Sequence, residues 1–325
     1  MKATQIVLLT GMLLMPFAVH ASTSGYCGEK DGDGNWGTNC TWVYDTNTHT
    51  LTVSGTGKVA GGISYYTDDN GGAHYYNDAA WGEYAQDIKN AVINEGIINV
   101  GYGTFYMTAL EHVSLPQSLK IIGAQSFQYN HLKELQLPEN IDFIGHAAFH
   151  STDIESIVIP ENFGTNNSDN THIFGTRNLS ILTVDGNAYF DKDMLIGSDL
   201  SKINTIYCNV TNDNCQNLLD DADIGSKIAF YEKEDGLYKM KDENNNDVYF
   251  ASAYLIEGGK KCENKEQCLS ILGAISQNNP FVIDGKFYAS INDFAKGNYV
   301  KKRIYTIGEA NAVSGKKNTV KIRYK

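Results

Sequence analysis

The sequence predicts a repeat solenoid, mainly β with short helical turns, between an N-terminal β cap and a small C-terminal β-rich module. The first observation is internal periodicity, because four segments align without gaps at a spacing of about 22 residues, which is a typical repeat length for a solenoid. They begin at Ile88, Leu110, Leu132 and Ile154. The second is that each segment repeats an apolar series that one coil cannot bury alone. Stacked coils can bury such side chains against one another, at about 1.5–3 kcal/mol for each.

Three further kinds of residue each recur in three of the four coils. They are Gly101, Gly123 and Gly145, then Phe105, Phe127 and Phe149, then Pro116, Pro138 and Pro160. We expect the phenylalanines to stack in file, the glycines to need a positive φ or a close backbone approach, and the prolines to end each strand. A polar insertion, Gly164 to Asn170, interrupts the fourth coil, and two degenerate coils begin at Leu179 and Ile203.

The repeat unit, which reads LEHVSLPQSLKIIGAQSF from Leu110, resembles the BspA-like leucine-rich repeat of bacterial and protozoan surface proteins. The resemblance covers residues 40–160 well and 179–210 weakly. Cys40-Thr41-Trp42, Leu51 to Val59 and Ala80-Trp81 resemble the capping segment before such repeats. The resemblance implies a leucine-rich-repeat scaffold and adhesion to matrix proteins or cells. Asn130 and Thr152 stand where the family often has cysteine, so we expect no internal cysteine ladder.

The first 21 residues are predicted to be an export signal. Lys2 supplies a positive charge, Ile6 to Val19 form an apolar run of about 14 residues, and Val19-His20-Ala21 fits a cleavage site. A membrane-spanning helix needs about 20 apolar residues, and no second run of that kind follows. We therefore expect a secreted, extracellular or cell-surface protein without an integral membrane span in the mature chain, with the periplasm as an alternative.

Charge is unevenly distributed along the chain. The net charge is −12, yet the segment from Lys286 onward carries ten basic residues against Asp293 and Glu309. The negative total argues against nucleic acid as a partner, and the asymmetry suggests a separate C-terminal module. The predicted division is an export signal (1–21), an N-terminal β cap (22–87), the solenoid (88–225) and a basic C-terminal β-rich module (226–325).

Six cysteines occur in three close couples: Cys27 and Cys40, Cys208 and Cys215, Cys262 and Cys268. Six cysteines allow fifteen pairings, and the short loops make pairing of neighbours the simplest expectation. An exported protein enters an oxidising compartment where disulfides persist. Zinc binding is the alternative, but the sequence has no Cys-x-x-Cys motif.

Strand alternation predicts a ladder of outward-facing residues, about 4.8 Å apart from coil to coil. Its members are Asn90 and Val92, His112 and Ser114, Glu134 and Gln136, Ser156 and Val158, Ile181 and Thr183, and Thr205 and Tyr207. A mixed polar face with few charges suits a protein or glycan ligand, and the alternative is an ordinary solvated face. Lys89, Glu111, Lys133 and Glu155 alternate in sign beside it, which we interpret as a charge ladder that fixes register.

Two loops are further candidates. Tyr65, Tyr66, Tyr75 and Tyr76 flank a Gly/Asp stretch and could stack on sugars or anchor a protein interface. The alternative is that this loop folds over the core of the cap. The second loop, Asp31 to Asn35, begins like a calcium loop, but Trp42 stands where a bidentate glutamate is needed. We therefore favour a flexible loop and expect no metal site.

No motif for a nucleophile, a catalytic metal, a phosphate loop or paired catalytic carboxylates occurs, so we expect neither an enzyme nor a cofactor. His131, His146 and His150 are expected at separate points around the coil. The favoured hypothesis is non-covalent binding of a host or neighbour-cell protein or glycan at the cell exterior. The alternatives are a structural coat component without a specific ligand and, third, a hydrolase with its site in the C-terminal module.

The C-terminal module is predicted to consist of short aromatic strands. They are Ile228 to Tyr231, Gly236 to Met240, Val248 to Leu255 and Phe281 to Ser290, with hairpin turns at Asp235-Gly236 and Asp284-Gly285. The end of the chain, Arg303 to Lys325, is expected to form strand, short helix, strand. This module could cap the solenoid, direct surface attachment or bind an anionic polysaccharide.

Overall fold

The structure is a computed structural model that describes residues 23–164, 171–257, 259–277, 281–283, 286–288 and 294. The chain divides into two compact units. The described residues of the first lie within Met1–Ile154, Asn167–Arg177 and Asp193–Gly197, and those of the second within Glu155–Asn166, Asn178–Lys192 and Ser198–Lys325. The predicted signal (1–21) and the tail strands and helix from Arg303 lie outside the described residues.

The first unit contains two sheets and a separate hairpin. The larger sheet has the order β1-β2-β3-β7-β9, with β1 Thr23–Gly28, β2 Gly37–Asp45, β3 Thr50–Gly55, β7 Asn90–Ile93 and β9 His112–Ser114. The smaller sheet has the order β11-β10-β8-β4, with β4 Gly57–Val59, β8 Ile97–Val100, β10 Ile121–Ile122 and β11 Phe143–Ile144. The hairpin consists of β5 Ile63–Thr67 and β6 Ala73–Asn77. A single 3-10 turn, Gly82–Tyr84, is described between the hairpin and β7.

Parallel pairing within this unit follows the register of the repeat. Asn90 pairs with His112, Asn99 with Ile121, and Ile121 with Phe143. The strands β1 to β3 pair antiparallel, and β3 then joins β7 in parallel, so the repeat sheet begins on an antiparallel edge. This stacking confirms the predicted solenoid.

The predicted file of phenylalanines is also confirmed. Phe105 and Phe127 stack with ring centroids 5.1 Å apart, Phe127 and Phe149 at 5.2 Å, and Phe149 and Phe174 at 6.0 Å. Every member is completely buried. Trp81 packs on Phe105 at 5.2 Å and continues the column toward the N-terminal strands. The coils therefore share one dry interior.

The recurring glycines serve close approach, and a positive φ is not their reason. None of Gly101, Gly123 and Gly145 is among the residues with positive φ. A Cβ on Gly123 would lie 2.7 Å from the carbonyl carbon of Gly101, and one on Gly145 would lie 2.5 Å from the backbone nitrogen of Ala124. Left-handed residues come two residues later, at Gly103, Gln125 and Ala147, and again at Met107, Tyr129 and Ser151.

A ladder of backbone hydrogen bonds joins the turn segments that follow these glycines. Alternate backbone amides each donate to a backbone carbonyl of the next coil. The pairs, donor first, are Gly103 and Ala124, Phe105 and Ser126, Met107 and Gln128, Gln125 and His146, Phe127 and Ala148, and Tyr129 and His150. The buried Asn130 reinforces the ladder, because its amide donates to the carbonyls of Phe105 and Phe127. A buried polar side chain therefore satisfies carbonyl groups of two successive turns.

The second unit is built on a six-stranded sheet with the order β12-β13-β14-β15-β16-β17. The strands are β12 Ser156–Ile159, β13 Ile181–Val184, β14 Thr205–Asn209, β15 Ile228–Glu234, β16 Leu237–Lys241 and β17 Asp247–Phe250. The first four are parallel and the last two pairings antiparallel. Ser156 pairs with Ile181 and Ile181 with Thr205, so these coils are longer than those of the first unit, as the polar insertion requires.

Helices and a last hairpin complete the described part of this chain. The helices are α1 Asp213–Gln216, α2 Ala253–Glu257 and α3 Lys265–Gln277, the 3-10 turns are Lys192–Leu195, Leu200–Lys202 and Gly225–Lys227, and the hairpin strands are β18 Phe281–Ile283 and β19 Lys286–Tyr288. The three disulfides join Cys27 to Cys40, Cys208 to Cys215 and Cys262 to Cys268, with Cα–Cα distances of 4.9, 6.4 and 5.4 Å. The predicted pairing of neighbours is confirmed.

Two expectations for residues 226–325 need correction. The predicted strand Val248 to Leu255 ends at Phe250, and α2 follows, its first turn closed by the Leu255 amide bonding to Ser252. The helix α3 was missed. Asn264 accepts a hydrogen bond from the Gln267 amide while the Gln267 side chain accepts one from the Glu263 amide, an arrangement close to a capping box.

The hairpin turn at Asp235-Gly236 is confirmed, since both residues have positive φ and Glu234 pairs with Leu237. In the predicted strand Phe281 to Ser290, the turn at Asp284-Gly285 lies outside the described residues.

Candidate functional site

The predicted strand-face ladder is partly covered in the second unit. Val158 and Thr183, both expected to face outward, are buried, while Ser156, Thr205 and Tyr207 are half-buried. The helix α2 contacts β12 and β13, and Val158 and Leu255 belong to one apolar cluster against which Tyr207 packs. The alternation was predicted correctly, but the second face of the sheet is also packed. Val158 and Thr183 are therefore excluded as ligand contacts.

The ladder remains accessible in the first unit. His112, Ser114 and Glu134 are exposed, and Asn90, Val92 and Gln136 are half-buried. Beside them Lys89 and Glu111 form the expected inter-coil ion pair at 3.0 Å, and this hydrogen bond lowers the pKa of the Glu111 carboxyl. Both partners are exposed, so the pair contributes little to stability. This part of the face is polar and solvated.

The four tyrosines lie on the antiparallel hairpin β5–β6, and the interpretation of a loop folded over the core was wrong. Tyr65 pairs with Tyr75 across the hairpin with ring centroids 5.8 Å apart, whereas Tyr66 stacks on His74 at 5.0 Å. The ring centroids of Tyr66 and Tyr76 are 6.4 Å apart. All four tyrosines are between 45% and 63% exposed. Both faces of the hairpin therefore present aromatic rings to solvent.

The base of this hairpin is fixed to the first coil. The buried Asn77 donates to the backbone carbonyls of Thr104 and Tyr106, at 3.2 and 2.9 Å. At the other strand the Gly62 amide donates to the Tyr102 carbonyl at 2.8 Å, and a Cβ on Gly103 would collide with Ile63. The tyrosines thus project from an anchored base.

Charged groups flank the tyrosines of the hairpin. The Asp68 carboxylate accepts hydrogen bonds from His74 at 2.8 Å and from the amides of Asn70 and Gly72, which together lower its pKa. Asp69 adjoins it at the turn and Asp78 at the base, where Asp78 lies 3.4 Å from Lys30. The hairpin therefore combines exposed aromatic rings with a negative rim.

Two of the three histidines that were expected to lie apart come together around a fourth, His172. His146 lies 4.9 Å from His172 between ring centroids, and His150 lies 6.1 Å from it. Burial lowers the pKa of both His150 and His172, and the neighbouring imidazoles add to the effect. The sequence did not show this cluster because His172 follows the polar insertion and is out of the register of the earlier coils.

Other candidate residues have structural partners. His131 and Arg177 both hydrogen-bond Asp153, whose pKa is raised by burial and lowered more strongly by these two partners. Asp31 closes its own loop by accepting from the amides of Asp33 and Asn35. Over the described ranges, no group of three or more His, Cys, Asp or Glu side chains is arranged to hold a metal ion.

A polar cluster that sequence reasoning missed lies within the second unit. Asp185 accepts hydrogen bonds from Tyr231 at 3.1 Å and Tyr238 at 2.7 Å and pairs with Lys233 at 2.9 Å. Lys233 also reaches Glu161 at 2.6 Å. Burial, with the Asp185 charge, raises the pKa of both tyrosine hydroxyls. The tyrosines stay protonated and act as donors that hold β15 and β16 against the loop after β13.

Comparison with known proteins agrees with this geometry. Residues 83–180 match the family model of the BspA type leucine rich repeat region, in six copies. The chain carries BspA-type leucine-rich repeats. Proteins with such repeats are typically found at cell surfaces, bind other proteins and are generally non-catalytic. No curated protein matches the chain in sequence.

Three solved structures of bacterial repeat proteins are similar to part of this chain. A leucine-rich repeat protein from Eubacterium ventriosum is 18% identical over 59% of this chain and 45% of that chain, with a TM-score of 0.43. One from Bacteroides ovatus is 20% identical over 53% and 48%, with a TM-score of 0.31. A leucine rich cell surface protein from Faecalibacterium prausnitzii is 16% identical over 67% and 59%, with a TM-score of 0.28.

This chain thus spans about half the length of the first two of these structures. Structural similarity at these TM-scores says nothing about the ligands of this chain. In the part of the BspA-type repeat chain that the structure describes, no helix combines the length and apolar character needed to cross a bilayer.

Proposed function

We propose that this protein is a secreted or cell-surface adhesion-type module that binds a partner protein non-covalently through the tyrosine hairpin β5–β6. The observation that carries the proposal is the exposure of Tyr65, Tyr66, Tyr75 and Tyr76 on one hairpin, in a unit whose column of stacked phenylalanines is completely buried. A contiguous group of exposed aromatic side chains marks an interaction site more often than a single exposed ring does, and tyrosine is enriched among the side chains that dominate binding energy.

The surroundings of the hairpin favour a protein as its partner. Tyrosine offers a large amphipathic contact at low cost in conformational entropy, and a rim of charged residues around such a centre is typical of protein interfaces. The anchoring of Asn77 to the first coil reduces the order that binding would have to impose on the hairpin. The accessible ladder residues His112, Ser114, Glu134 and Gln136 form a second, polar surface on the same unit.

The test is surface plasmon resonance with the mature full-length chain over a panel of immobilised extracellular-matrix proteins. The double variant Tyr65→Ser, Tyr75→Ser removes one aromatic face of the hairpin. Tyr26→Ser is the matched control, because Tyr26 is 51% exposed on β1. We expect at least one matrix protein to bind the wild type and the control alike, and to bind the double variant at least about tenfold more weakly.

Two results would contradict this proposal. The first is a wild-type chain that binds no member of the panel, which would favour the structural coat interpretation. The second is binding that the hairpin substitutions leave unchanged while Glu134→Ala and Gln136→Ala reduce it, which would move the site to the accessible ladder. Turnover of a panel of ester, peptide and glycoside substrates that is lost on one substitution beyond Gly225 would instead establish the hydrolase alternative.

A further inference from the structure

A third surface of the first unit differs in chemistry from the tyrosine hairpin and lies apart in sequence from the ladder residues. We call it the turn strip, and it comprises residues 101–108, 123–130 and 145–152, the segments joined by the inter-coil ladder of amide bonds. The strip contains no Lys, Arg, Asp or Glu, although charged residues make up 20% of the chain. We propose that the turn strip is a binding site for an uncharged glycan.

The absence of charge argues for the class of ligand. About a quarter of the residues on an average protein are charged, and docking such a surface on the strip would remove those charges from water without a partner. A neutral sugar carries hydroxyls and apolar ring faces but no ion, so its binding to the strip would bury no unpaired charge. The strip's own side chains therefore offer no ionic partner, in contrast to the hairpin with Asp68 and Asp69. At its edge the Arg177 guanidinium donates to the Asn130 carbonyl at 2.9 Å and is paired with Asp153.

The exposed side chains of the strip supply what a sugar needs. Tyr102 and Tyr129 are about half exposed, and each combines an apolar ring face with a hydroxyl. Tyr129 packs edge-on against Tyr106 at 5.7 Å and lies 6.4 Å from His150, so aromatic rings continue from coil to coil. The exposed His146 adds an imidazole that can donate and accept hydrogen bonds.

The repetition and rigidity of the strip suit a polymer. Its coils follow one another at the 5.1–5.2 Å spacing of the stacked phenylalanines beneath them, so equivalent backbone positions recur at a constant interval. Tyr102 and Tyr129 occupy different positions of their coils and present two separate rings on this backbone. The amide ladder and the left-handed residues Gln125 and Ala147 fix the backbone of each turn. Little conformational entropy remains to be lost on binding, which raises the affinity of weak repeated contacts.

The experiment is affinity electrophoresis of the mature full-length chain in native gels that contain mannan, a neutral β-glucan or galactomannan, with alginate gels as the anionic comparison. The variants are Tyr102→Ser with Tyr129→Ser, Tyr102→Ser alone in case the double variant is unstable, and Tyr26→Ser as the exposed control. Circular dichroism establishes that each variant is folded. The matrix-protein test uses other tyrosines, so each proposal can fail without the other.

We expect at least one neutral polysaccharide to retard the wild type, and the double substitution to weaken that binding about tenfold or more while Tyr26→Ser changes nothing. With Tyr102→Ser alone, weaker binding than wild type is still expected. Three results would overturn the proposal: no retardation in any neutral gel, retardation in alginate alone, or an equal loss in the Tyr26→Ser control.

Discussion

Single positions in the column of stacked phenylalanines decide whether neighbouring coils share an interior. Phe127 is enclosed by Phe105 on one side and Phe149 on the other, at 5.1 and 5.2 Å. Because interiors are close-packed, removing such a ring leaves a cavity that the surrounding coils cannot refill. The coil interior is therefore more sensitive to substitution than any exposed position on the same coil.

We predict that Phe127→Ala lowers the free energy of unfolding by about 3–5 kcal/mol, from lost burial and the cavity. Equilibrium denaturation with guanidinium, monitored by circular dichroism, measures it. Tyr102→Ala is the control, since its half-exposed ring should change stability by no more than about 0.5 kcal/mol. Equal losses for the two variants would show that Phe127 is not in a packed column.

Gly123 tests the close approach of successive turns. We predict that Gly123→Ala destabilises the chain by about 1–3 kcal/mol, because the new methyl group would meet the backbone of Gly101 and Tyr102 below 3 Å. Gly32→Ala is the matched control, since nothing lies within 4 Å of a Cβ there. Guanidinium denaturation of both variants measures the loss. An unchanged denaturation midpoint for Gly123→Ala would refute the close contact.

The histidine cluster predicts a loss of stability in mildly acidic solution. Burial lowers the pKa of His150 and His172 below the ordinary value of 6.5. As pH falls through 6.5 the unfolded chain takes up protons that the folded chain does not, so unfolding becomes more favourable. The effect is absent above pH 6.5 and grows until the folded histidines also become protonated.

We therefore expect the denaturation midpoint to fall between pH 7.5 and pH 5.5, and the double variant His150→Gln, His172→Gln to show a smaller fall. The Asp153 and Glu111 carboxyl groups have pKa values below their ordinary range, so they titrate at lower pH than this change. A midpoint that rises on acidification, or a fall of equal size in the variant, would contradict the role of these histidines.

Among the elements, the hairpin β15–β16 shows how side-chain hydrogen bonds position strands. Asp185, in the loop after β13, receives the hydroxyls of Tyr231 and Tyr238 and the ammonium group of Lys233. We predict that Asp185→Ala costs about 2–3 kcal/mol, because two buried hydroxyls and a half-buried cation lose their common acceptor. Thermal unfolding of the folded variants, converted to free energy, measures the loss.

Asp247→Ala is the comparison for this prediction. Its carboxylate pairs with Lys241 at 2.6 Å, but both groups are largely exposed, and such pairs contribute less than about 1 kcal/mol. If Asp247→Ala proved as costly as Asp185→Ala, the buried cluster would have no special part in holding the hairpin.

The sequence predicted the elements of the repeats better than those that follow them. Periodicity places β7, β9 and the phenylalanine column correctly, because the same local pattern recurs in each coil. In residues 226–325 no repeat supports the assignment. Aromatic residues around Tyr254 are typical of a strand, although the chain is helical there. The start of α3 depends on the capping side chains of Asn264 and Gln267, which form a local signal of only two residues.

The sequence identified the tyrosines of the candidate site, but it predicted only part of which candidate residues are exposed to solvent. The tyrosines were identified from sequence, and their exposure followed only from the pairing of Tyr65 with Tyr75. The burial of Val158 and Thr183 could not be anticipated, because strand alternation says which side a residue faces and not what packs there. The histidine cluster depends on the length of the insertion, which moves His172 out of register.

At the scale of the whole molecule, both proposed surfaces depend on coils that stack in a constant register. That stacking places the phenylalanines in one interior, aligns the three segments of the turn strip and provides the carbonyls to which the tyrosine hairpin is anchored. A different register would separate the residues of both surfaces.

Amide hydrogen exchange of the mature full-length chain, followed by NMR or mass spectrometry, tests this stacking most directly. The amides of Phe105, Phe127 and Phe149, which donate to the next coil, should exchange only on global unfolding, while that of Asp69, an exposed residue in the hairpin turn, should exchange rapidly. Exchange at the three phenylalanines as fast as at that turn would contradict the stacked coils and both proposed surfaces.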